Sequence, residues 1–246
     1  MFDHVTIRVS DLEASKRFYE LVFGNVEFSA APTEGGGFVE WNDFSISQAT
    51  DDRPVTRRLH TGFVAPSREH VDAFWRRLTA AGYRDDGPPG ERRQYRHDYY
   101  GAFVLDPDGN SVEAVHHGLA GLRSGVIDHL WLRVADLAAA KRFYETIAPT
   151  IGYRLARDSE DRAGFGGRDG SFTVTPGDPS AHVHLAFPVP DRTTVETFHR
   201  VATEAGYRDN GPPGERPEYH PGYFGAYVLD PDGNNVEAVF HNRSSA

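Results

Sequence analysis

"YYGAFVLDPDGNSVEAVHH", residues 99–117, returns later in the chain as "YFGAYVLDPDGNNVEAVFH", residues 223–241. In both copies Asp-Pro-Asp-Gly supplies a proline with a preset φ and a glycine free to take positive φ, which predicts a tight turn between two strands. After the turn the pattern alternates. Val112 and Ala114 fall on one face and Glu113 on the other, and Val236 and Ala238 face away from Glu237 in the same way. A carboxylate in the middle of so apolar a strand needs a partner, because burying an unpaired charge is very costly. Both copies therefore raise one question: what do Glu113 and Glu237 hold?

The repeat extends outward from the hairpin. Between Ala81–His117 and Ala205–His241, 27 of 37 positions are identical, with "AGYRD", "GPPGER" and "VLDPDGN" in both. "FDHVTIRVSDLEASKRFYE" from Phe2 matches "IDHLWLRVADLAAAKRFYE" from Ile127. These limits predict two domains, 1–117 and 126–246, joined by a linker at 118–125, "GLAGLRSG".

Each copy reads as strand, helix, strands, and then the same again. "HVTIRV" alternates, Ser10 or Asp11 is placed to cap a helix, and Ala14, Phe18, Leu21 and Val22 share one helix face. Short strands follow at "VEFSA", "GFVEW" and "FSIS". The second cycle opens with "LHTGFVA" and a helix whose Val71, Phe74, Leu78 and Ala81 share a face, ended by Gly82. Strands at "YRDDG", "GAFVLD" and "SVEAVHH" complete it. The later copy repeats this with "VHLAFPV" and the helix face Val195, Phe198, Ala202, Ala205. "GPPGER", from Gly87 and from Gly211, reads as a loop rim and lacks the Lys-Ser/Thr of a phosphate loop.

Composition narrows the function classes. With 39% hydrophobic residues each copy can build a modest core. A formal charge of −10 and the lack of any basic run argue against nucleic acid as a partner. The absence of cysteine excludes disulfides, thiolate metal sites and a cysteine nucleophile. No basic leader precedes an apolar run, and no stretch approaches the roughly 18 apolar residues that span a membrane. The expectation is a cytoplasmic protein acting on a small molecule, with no membrane partner and with a homodimer left open.

The paired βαβββ units, the opening "DHV" and "DHL" strands, the "KRFYE" helices and the closing "LDPDGNxVEAV" hairpins together resemble the vicinal oxygen chelate superfamily, which includes glyoxalase I, extradiol dioxygenases and bleomycin-resistance proteins. The resemblance covers nearly the whole chain, twice. It implies an α+β fold of tandem domains, each of two βαβββ units forming a curved mixed sheet around a cavity. It also implies metal ligands on the first, fifth and eighth strands of each domain. Carried across, these are His4, His60 and Glu113 in the first copy and His129, His184 and Glu237 in the second. Strand parity agrees, since His4 shares a polar face with Thr6 and Arg8, and His129 shares one with Trp131 and Arg133. A lone histidine is more often a satisfied structural group than a ligand, but two complete sets favour the metal reading.

Neither "FSIS" nor "FTVT", at the fourth-strand position, contains a strong ligand. Two imidazoles and one carboxylate with open positions suit Fe2+, while Mn2+, Ni2+, Co2+ or Zn2+ can also be held. The run from His220 through Tyr227 to Glu237 is similar to the extradiol dioxygenase signature, departing from it at Ala226. The resemblance implies that Tyr227 hydrogen-bonds a bound oxygen and that His220 acts as acid or base. The first copy has Phe103 and Arg96 instead, so the C-terminal half is the expected seat of chemistry. Arg8, Arg133 and Trp131 are the candidate substrate-binding residues, with pairing to a structural carboxylate as the plainer reading of the arginines. His97, His116 and His117 read as surface histidines. An extradiol-dioxygenase-like enzyme is the leading reading, a glyoxalase-like lyase or isomerase the next. A metal-independent antibiotic-binding protein, stacking its ligand on Trp41, Trp131, Phe38, Phe165 and Phe172, is a third.

Overall fold

The computed structural model describes residues 2–24, 32–118, 125–168 and 170–242. The expected strand "VEFSA" and all of the linker except Gly118 and Gly125 lie outside them.

Each half of the chain forms two βαβββ units. The first is β1 (His4–Val9), α1 (Leu12–Phe23), β2 (Thr33–Gly35), β3 (Phe38–Trp41) and β4 (Phe44–Gln48). The second is β5 (Leu59–Val64), α2 (Arg68–Ala80), β6 (Asp85–Glu91), β7 (Tyr100–Leu105) and β8 (Ser111–His116). The third is β9 (Ile127–Val134), α3 (Leu137–Ile147), β10 (Arg154–Ser159), β11 (Arg162–Gly166) and β12 (Ser171–Pro176). The fourth is β13 (His184–Pro188), α4 (Arg192–Glu204), β14 (Asp209–Glu215), β15 (Tyr223–Leu229) and β16 (Asn235–His241).

Local chemistry explains the punctuation. Asp11, not Ser10, caps α1, its Oδ1 accepting from the Ala14 amide at 2.9 Å, and Asp136 caps α3 through Ala139 at 3.0 Å. In each DPDG turn the first aspartate ties the loop: Asp106 Oδ1 accepts from the Asp108 and Asn110 amides, and Asp230 Oδ1 accepts from Asp232 and Asn234. Gly109 and Gly233 take φ of 85° and 86°.

One loop expectation is corrected. "GPPGER" lies largely within β6 and β14, the outermost strands of their sheets, paired to β7 and β15 with breaks in register around Gly87 and Gly211. A proline that donates no hydrogen bond is compatible with a strand only at such an edge or bulge.

The α+β class and the βαβββ units are as expected, but the units that share a sheet are not. One eight-stranded mixed sheet runs β14-β15-β16-β13-β1-β4-β3-β2, and the other β10-β11-β12-β9-β5-β8-β7-β6. Each sheet thus joins one unit from each half of the chain, through antiparallel β1–β13 and β5–β9 seams. The expectation that each half closes its own sheet is replaced by this exchange. Every unit presents its first strand as an open edge, so such an edge can be completed by any other unit.

A continuous core welds the two sheets. Phe44 of the first sheet meets Phe63 of the second at 5.0 Å between ring centroids, and Phe187 of the first meets Tyr153 from the second half's α3–β10 turn at 5.1 Å. Rings at these spacings in tilted and edge-on poses contribute beyond the area they bury. Helices α1 and α4 pack on the first sheet and α2 and α3 on the second, with α1 touching α2 and α3 touching α4. Among the described residues no helix is long and apolar enough to cross a membrane.

Candidate metal centres

The exchange of units decides which ligands meet. His4, His184 and Glu237 form one cluster, and His60, Glu113 and His129 form the other. All six residues expected as ligands fall within these two clusters. Their grouping is corrected: His4 and His129 have changed places, because β1 and β9 are each paired with the other half's strand.

The sheet registers place the donors. In the second sheet Gly62 of β5 pairs with His129 of β9 on one side and Glu113 of β8 on the other. His60 stands two residues along β5 on the same face. His60 Nε2 lies 3.1 Å from Glu113 Oε2 and 3.3 Å from His129 Nε2, and His129 Nε2 lies 3.3 Å from Glu113 Oε2. In the first sheet Ala186 takes the place of Gly62, between His4 and Glu237. There His184 Nε2 lies 3.0 Å from both His4 Nε2 and Glu237 Oε2, and His4 Nε2 is 3.7 Å from Glu237 Oε2.

Small residues clear the space. A methyl group at Gly101 would meet Glu113 Oε1 at 2.3 Å, and one at Gly225 would meet Glu237 Oε1 at 2.7 Å. Tyr99 and Tyr223 donate their hydroxyls to those same Oε1 atoms at 2.8 and 2.6 Å, leaving Oε2 to face the histidines. Beside these acidic groups both tyrosine hydroxyls, raised first by burial and then by the glutamate charge, stay protonated.

Outer partners orient the rings. His129 Nδ1 faces Asp128 Oδ2 at 2.9 Å, and Asp128 Oδ1 in turn receives His117 Nε2 at 2.9 Å. His4 Nδ1 faces Asp3 Oδ1 at 2.9 Å, and Asp3 Oδ2 receives His241 Nε2 at 2.7 Å. His60 Nδ1 meets Ser111 Oγ at 3.0 Å, and that hydroxyl donates to Asp86 at 2.8 Å, which leaves it to accept from the ring. In the other cluster His184 Nδ1 meets the Asn235 side-chain amide.

These partners test whether a cation fits. A carboxylate only accepts, so Asp128 places the Nδ1 hydrogen on His129 and directs the Nε2 lone pair inward, and Ser111 does the same for His60. Two lone pairs and a carboxylate oxygen then converge. Burial works against charge on His129, but Asp128 and Glu113 outweigh it and hold the imidazole up at about 10. Glu113 is lowered: burial opposes this, and His129 and His60 prevail. The cluster therefore demands positive charge, which a divalent ion supplies on displacing the proton. His4 is likewise raised against burial by Asp3 and Glu237, while burial lowers His184.

A cavity of about 640 Å³ opens on the His60/Glu113/His129 cluster. Trp131 and Arg133, two of the candidate substrate-binding residues, line it. Arg8 lies on β1 two residues beyond Thr6, in the other sheet, and its charge reaches His184. Tyr227 pairs with Glu237 across β15 and β16. Its hydroxyl is buried without a well-formed hydrogen bond among the described residues, and burial and the Glu237 charge keep it protonated. His220 is not brought to the ligands: its Nε2 bonds His241 Nδ1 at 2.8 Å, and it reaches His4 only through His241 and Asp3. Asp43, just ahead of β4, spends Oδ1 on the Val126 and Ile127 amides and joins neither cluster.

Other expectations are corrected by burial. His117 is a buried partner of Asp128, not a surface histidine. Trp41, Phe165 and Phe172 are core residues, unavailable for stacking a ligand, because their strand faces point toward the helices. The residues that the sequence reading missed are Asp3, Asp128, Tyr99, Tyr223, Ser111, His117 and His241. For Asp3 and Asp128 the signal was present as "DH", and for Tyr99 and Tyr223 as "YYG" and "YFG".

The model of the Glyoxalase/Bleomycin resistance protein/Dioxygenase superfamily matches residues 1–114 and again 126–238. No curated protein matches the chain. Among solved structures, glyoxalase I from Zea mays is 20% identical, with a TM-score of 0.69 over 98% of this chain and 92% of that one. A putative dioxygenase from Bacillus subtilis is 14% identical, with a TM-score of 0.67 over 99% and 86%. At these identities the likeness is one of fold. The two family matches, the paired βαβββ units and the two His-His-Glu clusters place this chain in the glyoxalase/bleomycin resistance/dioxygenase superfamily.

Proposed function

We propose that the chain is a divalent-metal enzyme that takes a small oxygen-rich substrate through two adjacent oxygens at the His60/Glu113/His129 cluster, with chemistry of the extradiol dioxygenase type. One observation carries this reading: two imidazole nitrogens and one carboxylate oxygen converge on a cavity with no fourth strong donor in the cluster. Ser171, paired with His129 on the neighbouring strand, offers only a hydroxyl. Such a set leaves several positions free for substrate and is the arrangement suited to Fe2+.

A divalent ion held there supplies Lewis acidity, which lowers the pKa of a coordinated hydroxyl and stabilises charge developing on substrate oxygens. The protein does the rest. Asp128 and Ser111 hold the rings in the donor tautomer, and Tyr99 occupies the second oxygen of Glu113. Phe103, its ring 5.8 Å from that of His60, forms an apolar wall that keeps water from the reacting end. In the His4/His184/Glu237 cluster Tyr227 takes the place of Phe103, and its hydroxyl is free to donate to a bound oxygen. His220 there acts through His241 and Asp3, not by touching substrate.

A glyoxalase-like lyase or isomerase uses the same donors with Mn2+, Ni2+, Co2+ or Zn2+. The deciding experiment is oxygen uptake by anaerobically Fe2+-loaded protein with a panel of catechols, run beside hemithioacetal isomerisation. Oxygen uptake that disappears in Glu113→Gln is expected. Isomerisation without oxygen uptake would replace this reading by the glyoxalase-like one, and tight binding of an aromatic antibiotic by metal-free protein without turnover would replace both.

A further inference from the structure

We infer that the substrate of the His60/Glu113/His129 site is an anion with three parts: an oxygen pair at the metal end, a flat apolar middle, and a carboxylate held at the far end by Arg133 with Arg58. The inference rests on the function proposed above, which places substrate in this cavity, and it adds the class of molecule.

Strand β9 lays out the order. His129, Trp131 and Arg133 alternate onto one face, and all three line the cavity. At about 3.3 Å per residue, Trp131 stands roughly 7 Å and Arg133 roughly 13 Å along the strand from His129. The flanking strands repeat the order. On β5, His60 pairs with Trp131 and Leu59 with Leu132, which brings Arg58 alongside Arg133. On β12, Ser171, Thr173 and Thr175 follow His129, Trp131 and Arg133 in register. Arg157 enters from β10 in the row of Gly164, Thr173 and Trp131, where a methyl group on Gly164 would meet its Cβ at 3.3 Å.

Charge divides along that floor. Glu113 and Asp128 lie at the metal end, and Arg133 with Arg58 at the other. Arg58 Nε donates to the Pro179 carbonyl at 2.7 Å, and Arg96, also on the cavity, is paired with Asp98 at 2.6 Å. The side chains of Arg133 and Arg157 make no hydrogen bond or ion pair among the described residues, although both line the cavity. The Arg133 guanidinium fork, at the far end beside Arg58, suits a carboxylate, whereas Arg157 belongs to the middle row. Between the ends, Trp131 is held by the Arg162 guanidinium 5.3 Å over its ring and by Tyr95 at its edge, 6.1 Å away. The other cluster offers no such middle, since Thr6 stands in the place of Trp131 with its hydroxyl bonded to Ser45 at 2.7 Å.

The test measures binding of three probes to metal-loaded protein by calorimetry: catechol, phenylpropanoate, and dihydrocaffeate, which carries both ends. Dihydrocaffeate should bind at least about tenfold tighter than catechol. Arg133→Gln should weaken dihydrocaffeate and phenylpropanoate by about 10- to 100-fold, the size of a charged hydrogen bond, and leave catechol unchanged. Arg157→Gln, in the row of Trp131, should leave the preference for dihydrocaffeate over catechol in place. Both arginines are exposed, so the variants keep the fold. Equal binding of catechol and dihydrocaffeate, or equal loss of both in Arg133→Gln, overturns the inference. Arg133-dependent phenylpropanoate binding beside catechol binding that ignores Glu113→Gln supports the anion end and overturns the chelate reading. Catechol binding that needs Glu113, beside phenylpropanoate binding that ignores Arg133, does the reverse.

Discussion

A methyl group at position 62 should abolish one metal site and spare the other. Gly62 lies in the row between His129 and Glu113, and an added Cβ would sit 2.3, 2.6 and 2.9 Å from the Cε1, Nδ1 and Nε2 atoms of His129. Carbon atoms in contact rest at about 3.5 Å or more, so the ring or the strand must give by about 1.2 Å. The strand resists, because Gly62 is paired on both sides. The ring is tied by Asp128 at 2.9 Å, and metal bonds tolerate shifts of only about 0.2 Å. His129 therefore ceases to be a ligand, and that site's affinity should fall by at least the ~10- to 100-fold that disturbing an outer partner costs. Overpacking of this kind costs about 1–3 kcal/mol in stability. The assay is metal content per chain after dialysis against graded chelator, with melting temperature measured in parallel. Gly62→Ala should retain one ion of two and melt several degrees lower. The other site already carries a Cβ at the matching position, so Ala186→Gly should leave its metal content unchanged. Two ions held by Gly62→Ala with native affinity and an unchanged melting temperature would refute the reasoning.

The pairing of ligands has its own test. His129→Ala with Glu113→Gln strikes one site and should leave one ion per chain, whereas His129→Ala with Glu237→Gln should leave none, and the opposite pattern would restore the grouping by sequence order. Asp43 predicts a pH effect: burial, opposed by the Val126 and Ile127 amides, raises its carboxyl from 3.8 to about 6. A folded-state value above the unfolded one means stability that is present in full below pH 3.8 and lost as pH rises through about 6. Asp43→Asn keeps the Oδ1 acceptor and escapes that loss. The variant should gain up to about 3 kcal/mol on wild type between pH 4 and 7.5 in urea unfolding, and a difference that does not change with pH would contradict it.

The local grammar of this protein was legible in its sequence. Asp-Pro-Asp-Gly dictates its hairpin wherever it occurs, Asp11 and Asp136 cap the helices that follow them, and the alternation of β1 puts His4 with Thr6 and Arg8. The six residues of the two clusters were named by the resemblance, while burial of Glu113 and Glu237 in apolar strands said only that each needs a partner. The residues that orient the ligands were harder to read. Asp128 stands next to His129 in the chain, but that one of its oxygens takes the His129 ring and the other takes His117 shows only once β8, β5 and β9 share a sheet. Likewise "GPPGER" looks like a loop until the sheet shows that its strand lies at an edge, where proline's missing donor does no harm.

The grouping of the ligands belongs to the tertiary structure alone. The two halves are near copies, so β1 offers β5 and β13 edges of almost the same pattern, and β9 offers the same choice. Local pairing preferences are nearly equal for both arrangements. The choice is made by the whole assembly, through Phe44 meeting Phe63, Phe187 meeting Tyr153, and Asp43 gripping the first amides of β9. These long-range contacts close two sheets over one core, and with them decide that each His-His-Glu cluster draws its residues from both halves of the chain.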